Sequence, residues 1–315
     1  MLYTLNLNPA IDMNIVSADL TPNVTTHTQD MVLTANGKGI NVAFVLNKFG
    51  KNVGIIGFFG GFTGRYIVEE CKRKGIVTSS IEIQDQTRIN VFLSVENREY
   101  KMVNEGPLIS EQEKDSMLEM LNSLPDMEIL TVNGSAARNI NLSFYQQMIE
   151  IMQKKGTEIV LDISSVYLKE LLKYKPLLIK PNDEELEKIF GITITDIESA
   201  KQAMFFLYNQ GAQNVLITLG EKGAFFYNGK EFYQCGVQPV KLKSSLCAGD
   251  GFLAAFLSVW MENQDNVEEA LKLAAATGAD IAENDGIGEL KNVEKYKQNI
   301  IVKKLKGESH EFSID

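Results

Sequence analysis

The chain has 315 residues, 44% hydrophobic and 23% charged; that is enough apolar material for a sizeable core, excludes global disorder, and fits one α/β domain with a small appendage. Its 31 Lys and Arg against 41 Asp and Glu give a net charge of −10, which argues against a nucleic-acid partner, because such affinity comes from neutralising phosphates. Three cysteines without CxxC spacing (Cys71, Cys235, Cys247) and two histidines (His27, His310) give no basis for a zinc site or a disulfide framework; with no basic, apolar leader and no run of about 20 apolar residues, the expectation is a cytoplasmic protein with no membrane partner.

Alternation from Leu2 predicts a strand ending at Asn8-Pro9. Residues 11–35, rich in Thr, Val and Asp, show no helical stripe and predict short strands. Gly37-Lys38-Gly39 opens a helical pattern (Ile40, Val42, Ala43, Leu46) that ends at Phe49-Gly50. Val53–Phe59 predicts a buried strand, Arg65–Arg73 a helix, and 81–104 a second β-rich stretch. Beyond it, helices are expected over Ser110–Leu121, Phe144–Lys155, Asp183–Phe190, Glu198–Gln210, Asp250–Glu262 and Val267–Glu283. Between them come strands over Ile129–Val132, Ile159–Ile163, Leu177–Lys180 and Asn214–Thr218, and a hairpin around Asn228-Gly229. Such alternation predicts a largely parallel sheet with helices on both faces. Segments 11–35 and 86–105 lack crossover helices and are expected to form a small inserted sheet, leaving 1–10, 36–85 and 106–315 to the main domain.

Four segments carry chemistry. In Ser245–Gly251, small residues precede an apolar helix, so the N–H groups of its first turn are open to an anion. Asp250 beside them could take a proton from a hydroxyl attacking a phosphoryl group; the plainer reading is a helix N-cap. In Asn36–Asn41, glycines permit close approach, Lys38 offers a cation and Asn41 both donates and accepts; a loop closing onto a helix would look the same. Thr218–Ala224 follows a strand and could cradle phosphates through main-chain amides, or be a plain turn; it is neither a Walker A loop nor a dinucleotide fingerprint. In Lys180–Glu185, Asn182 and Glu185 share one side of a helix start; they offer oxygen ligands suited to Mg²⁺ through water, or simply cap the helix.

In order along the chain, LNLNPAID (5–12), GKGINVA (37–43), GFFGGFTGR (57–65), TRIN (87–90), EGP (105–107), KPNDEEL (180–186), TLGEKGA (218–224) and AGDGFLAAF (248–256) span nearly its whole length. With these segments the sequence resembles the ribokinase-like (PfkB) carbohydrate kinases, the 1-phosphofructokinase and tagatose-6-phosphate kinase branch in particular. The resemblance implies a three-layer α/β/α ribokinase-like domain with a mostly parallel central sheet and a small β-sheet lid. It implies ATP and Mg²⁺ as cofactors and a small sugar or sugar phosphate as acceptor. It puts the catalytic base on Asp250 and an anion hole on Cys247, Ala248 and Gly249. Acceptor binding falls on Asp12, Gly37, Lys38, Asn41, Arg88 and Asn90, nucleotide binding on Asn182, Thr218, Gly220 and Gly223, and the metal near Glu185. Lid sheets of this family can pair, which allows a homodimer.

The departures bear on the acceptor. Asn36 and Cys247 stand where the family carries Gly, and His27 and Phe44 where the branch carries Arg. Each lost charge-assisted bond is worth about 1.5–3 kcal/mol. Lys38, Arg88 and Lys101 remain for a substrate phosphate, so a kinase for an unphosphorylated sugar or a nucleoside stays open, as does a non-catalytic sensor of a sugar phosphate or nucleotide. Cysteine at 247 is expected to be tolerated where its φ is negative, and its thiol to be a passive buried group rather than a redox sensor.

Overall fold

Strand β1 (Leu2–Asn6) is an interior strand of the main sheet in the computed structural model, which describes residues 1–96, 98–125 and 127–305; His310 lies outside the described residues. The chain then turns at Pro9 into β2 (Ala10–Ser17) and returns as β3 (Asp30–Asn36) before α1 (Lys38–Lys48). Next come β4 (Val53–Gly60), α2 (Gly61–Arg73), β5 (Val77–Ile83), β6 (Arg88–Val95) and β7 (Arg98–Met102). Strict alternation follows: α3 (Glu111–Ser123), β8 (Ile129–Gly134), α4 (Leu142–Lys154), β9 (Glu158–Ile163), α5 (Tyr167–Leu171), β10 (Leu178–Ile179) and α6 (Asp183–Phe190). The chain closes with α7 (Ile197–Asn209), β11 (Val215–Thr218), β12 (Ala224–Tyr227), β13 (Phe232–Cys235), α8 (Ala248–Trp260), α9 (Val267–Ala282), α10 (Val293–Lys297) and β14 (Val302–Leu305).

Ten strands make one sheet in the order β14-β13-β12-β11-β10-β9-β8-β1-β4-β5. It is parallel from β5 to β11, and β12, β13 and β14 add an antiparallel edge. Side chains alternate between its faces with the period of two that a strand imposes. In β4, Val53 and Ile55 join one core with α1, α2, α8 and α9, while Ile56 and Phe58 join the other with α3, α4, α6 and α7. The result is the expected three-layer ribokinase-like α/β/α fold.

The four remaining strands form a separate sheet, β3-β2-β6-β7. Its central pair, β2 and β6, is parallel and sets Asp12 beside Asn90; on the other side Asp12 faces Thr34 of β3. Because β1 leads directly into β2 and β3 directly into α1, this sheet stays attached to the C-terminal edge of the large one.

Some boundaries differ from the sequence pattern. β1 stops at Asn6, and α2 begins at Gly61, ahead of its apolar stripe. Helices α5 and α10 and edge strand β14 had no expected counterpart; they span only four or five residues, too short for a periodic signal. Among the described residues, no helix is long and apolar enough to cross a membrane.

Candidate active site

Helix α8 opens with Cys247 as its N-cap residue, and the first helical bond runs from the Gly251 N–H to the Cys247 carbonyl at 2.8 Å. Asp250 is therefore the third residue inside the helix and not its cap. Among the described residues no acceptor meets the amides of Gly249 and Asp250, and the Ala248 amide makes only a long contact, 3.4 Å, to the Ser245 carbonyl. Free amides at the positive end of a helix favour an anion. Cys247 adopts φ +66°, not the negative value under which a side chain is tolerated without strain. A left-handed non-glycine residue of this kind costs on the order of 1–2 kcal/mol. Burial and the nearby Asp250 and Asp12 charges push its thiol well above the ordinary cysteine range, so it stays protonated.

Asp250 is buried, and its Oδ2 accepts from Asn41 Nδ2 at 2.8 Å. Burial, then the negative Asp162, raise its pKa to about 6 against the pull of Lys38, Asn41 and Lys180. A carboxylate titrating there is largely ionised near neutrality yet basic enough to take a proton in a reaction.

Lys38, the first residue of α1, links two carboxylates: Asp162 Oδ1 at 3.2 Å and Glu185 Oε1 at 3.0 Å. Lys180 also reaches Asp162 Oδ1, at 3.1 Å. Burial alone would lower the Lys38 pKa, but Asp162, Glu185 and Asp250 override it and hold the ammonium charged. Glu185 is buried too, which would raise its pKa; Lys38, Lys180 and the Ser164 hydroxyl, 2.6 Å away, outweigh burial and keep it ionised.

Asn182 and Glu185 form a capping box at the start of α6: the Glu185 N–H donates to Asn182 Oδ1 at 2.7 Å, and the Asn182 N–H donates to Glu185 Oε2 at 3.1 Å. Asn182 also bridges to Thr218 at the end of β11, where Gly220 and Gly223 frame a short 3-10 turn. The two glycines differ. A Cβ on Gly223 would lie 2.2 Å from the Cys235 carbonyl oxygen, so glycine there admits the neighbouring strand; a Cβ on Gly220 would meet nothing within 4 Å.

On the small sheet, buried Asp12 accepts from Asn90 Nδ2 at 2.8 Å and from Asn36 Nδ2. Burial raises its pKa, and the Asn90 and Asn36 amides and Arg88 oppose the rise. Arg88 donates through its terminal nitrogens to the carbonyls of Asn104 (2.7 Å) and Asn8 (3.0 Å), leaving a buried Nε without a partner among the described residues. Gly37, at the N-cap of α1, donates its N–H to Asn36 Oδ1. Lys101 is exposed and paired with Glu99, His27 is exposed between β2 and β3, and Phe44 lies in the core with Lys74 Nζ 5.0 Å from its ring centroid.

Most of the predicted residues thus fall into two bonded groups, coupled by the charges of Asp250 and Lys38. Asp12, Asn90, Asn41 and Asp250 are linked through side chains, Lys38 joins through Glu185 to Asn182 and Thr218, and Ala248 and Gly249 carry the open helix end. Three participants lacked a predicted role. Asp162 lies one residue before the end of an apolar strand with no motif around it, Lys180 sat unassigned in the KPNDEEL segment, and Asn36 figured only as a departure.

Among the described residues no group of three His, Cys, Asp or Glu side chains could hold a metal ion. The buried Asp162 Oδ2 has no partner among the described residues, and Glu185 lies across Lys38 from it. One or two such carboxylates fit Mg²⁺, which keeps several waters and completes its shell with substrate phosphates.

Comparison with known proteins bears on the family of the chain. The chain is 41% identical over 305 residues to a D-tagatose-1-phosphate kinase of Klebsiella oxytoca, covering 97% of this chain and 100% of that one. It is 32% identical over 305 residues to a 1-phosphofructokinase of Bacillus subtilis, with the same coverage. The crystal structure of phosphofructokinase-2 from Escherichia coli in complex with substrates and products superposes with a TM-score of 0.86 at 26% identity, over 95% of this chain and 98% of that one. The pattern of the pfkB family carbohydrate kinases matches residues 7–292, so this chain belongs to that family and is a phosphotransferase with an alcohol acceptor.

Proposed function

We propose that this kinase transfers the γ-phosphoryl group of ATP to a ketohexose 1-phosphate, D-tagatose 1-phosphate or D-fructose 1-phosphate, at the primary C6 hydroxyl that such a molecule leaves free. The reading rests on one observation above all: the buried Asp250 carboxylate, held by Asn41, sits in the first turn of a helix whose Gly249 and Asp250 amides are open. The acceptor class is taken from the relatives at 41% and 32% identity.

Asp12 and Asn41 align the acceptor. Asp250 takes the hydroxyl proton as that oxygen bonds to the γ-phosphorus, while the bond from phosphorus to the β–γ bridging oxygen breaks and ADP leaves. The amides at 247–250 and the Lys38 ammonium stabilise the charge on the migrating group. Asn182, Thr218 and Gly220 hold the nucleotide along the sheet edge, and Gly223 shapes that turn from behind. Glu185 and Asp162 would hold Mg²⁺ through water, and the ion would supply positive charge to the phosphate oxygens. The four-stranded sheet acts as a lid that keeps water from the γ-phosphate. On the face opposite Asp12, its exposed Met31, Leu33, Tyr100 and Met102 suit pairing with the same sheet of a second copy, since contiguous exposed apolar surface favours association.

The test is ADP release across D-tagatose and D-fructose 1-phosphates, the 6-phosphates, the free ketohexoses and nucleosides. A phosphate held by even two charge-assisted bonds adds about 3 kcal/mol, so kcat/KM for a ketohexose 1-phosphate should exceed that of the free sugar by roughly 100-fold or more. Preference for a free sugar or nucleoside would replace the acceptor assignment. Binding without ADP release from any compound would turn the reading to a sensor.

A further inference from the structure

Five side chains form an unbroken hydrogen-bonded chain from the small sheet to Asp250. Asn90 donates to Asp12 Oδ1 at 2.8 Å, Asn36 Nδ2 donates to Asp12 Oδ2, and Asn41 Nδ2 donates both to Asn36 Oδ1 at 2.7 Å and to Asp250 Oδ2 at 2.8 Å. Asn41 Nδ2 lies between two acceptor oxygens, so both of its hydrogens are used. Asn36 must then turn its oxygen to Asn41 and its nitrogen to Asp12. Asn36 is also the last residue of β3, one step from the Gly37 that opens α1. It stands where the small sheet passes into the main domain.

We propose that Asn36 is a positioning residue that couples the acceptor-aligning Asp12 to the base Asp250. The proposal rests on the roles given to Asp12 and Asp250 above. Asp12 reaches the site from a sheet hinged on short connections, and Asp250 from a helix packed in the core. Asn36 is the side chain that contacts both Asp12 and the Asn41 amide orienting Asp250. With it in place, the acceptor hydroxyl held by Asp12 and the oxygen that takes its proton are kept in one register. A glycine at 36 supplies none of the side-chain bonds. Misplacement of reacting groups by as little as about 1 Å costs on the order of 100-fold in rate.

Full-length Asn36→Gly, Asn36→Ala and Asn36→Asp proteins test this by steady-state kinetics with D-tagatose 1-phosphate and D-fructose 1-phosphate between pH 5.5 and 8.5, with thermal unfolding as a control on folding. Asn36→Gly and Asn36→Ala should raise the acceptor KM about tenfold or more and lower kcat, leaving the KM for ATP within about twofold of wild type. Asn36→Asp keeps an oxygen toward Asn41 but sets a second carboxylate against Asp12. Of the charged and titratable groups around that position, Asp12 on β2 bonds it directly; Arg88 on β6 and Cys247 on α8 interact with Asp12, and Asp250 on α8, itself coupled to Lys38 on α1, is reached through Asn41. Two adjacent carboxylates share a proton at raised pH, and the protonated form can donate to Asp12 again. The activity of Asn36→Asp relative to wild type should therefore rise as the pH falls, which loss of packing alone would not produce. Unchanged acceptor KM and kcat in Asn36→Gly, a change confined to the melting temperature, or a pH-independent ratio for Asn36→Asp overturns the proposal. Wild-type inactivity toward both 1-phosphates overturns the acceptor reading instead, and the same variants are then compared with free D-tagatose and D-fructose as probes.

Discussion

Asp250→Asn separates the cost of the buried carboxylate from its use. The pKa of Asp250 rises from 3.8 to about 6 on folding, chiefly through burial and then through Asp162. The folded state thus binds this proton more tightly than the unfolded chain does. Stability falls as the pH climbs from about 4 to about 6, and the full cost persists above that range. About two pH units at about 1.4 kcal/mol each make this roughly 3 kcal/mol. Asparagine has nearly the same shape and no charge, so Asp250→Asn should be more stable by about that amount at pH 8, the gain fading toward pH 4. With 315 residues and an unfolding entropy of about 2.1 cal/mol/K per residue, this corresponds to a rise in Tm of roughly 4–5 °C. Turnover should fall by about 100- to 10,000-fold with the base gone. In the wild type, kcat/KM should decline as the pH drops through about 6, because the base must be ionised to act. Calorimetry at pH 8 and near pH 4, alongside single-turnover kinetics, reads both effects. A variant no more stable than wild type at pH 8, or a gain independent of pH, would refute the electrostatic reasoning; near-normal turnover would remove Asp250 from the base role.

Lys38→Met leaves Glu185 without its Lys38 partner and Asp162 with Lys180 alone; urea unfolding should show a loss of about 3 kcal/mol, the low end for breaking a buried pair, with a marked drop in kcat. Gly223→Ala and Gly220→Ala should behave differently. The first forces a Cβ against the Cys235 carbonyl and should destabilise by several kcal/mol, whereas the second, with open space around it, should cost about 1–2 kcal/mol and mainly raise the KM for ATP. At Cys247, φ +66° is hardest on a β-branched side chain. Cys247→Val should lose about 1–3 kcal/mol and lower kcat, while Cys247→Gly should be at least as stable as the parent; equal unfolding midpoints for all three would show that this backbone position carries no strain.

Much of the site could be read along the chain because its parts are local. Small residues before FLAAFLSVW mark a helix start with open amides, and Asn182 three residues before Glu185 has the spacing of a capping box, which α6 forms. The alternation of strands and helices likewise determined the three layers, since each apolar run covers one face of one sheet. What no local pattern carried are the encounters between distant segments. Lys38 and Asp162 are 124 positions apart, Lys38 and Glu185 147, and Asn41 and Asp250 209. Asp162 therefore looked like an ordinary strand residue, and Asn36 like a mere replacement, until the sheets brought their partners to them. The same holds for the raised pKa of Asp250 and the left-handed turn at Cys247. Periodicity and capping depend on interactions within a few residues, whereas desolvation, charge pairing and the backbone angle at a crowded helix start are decided by the whole packed neighbourhood.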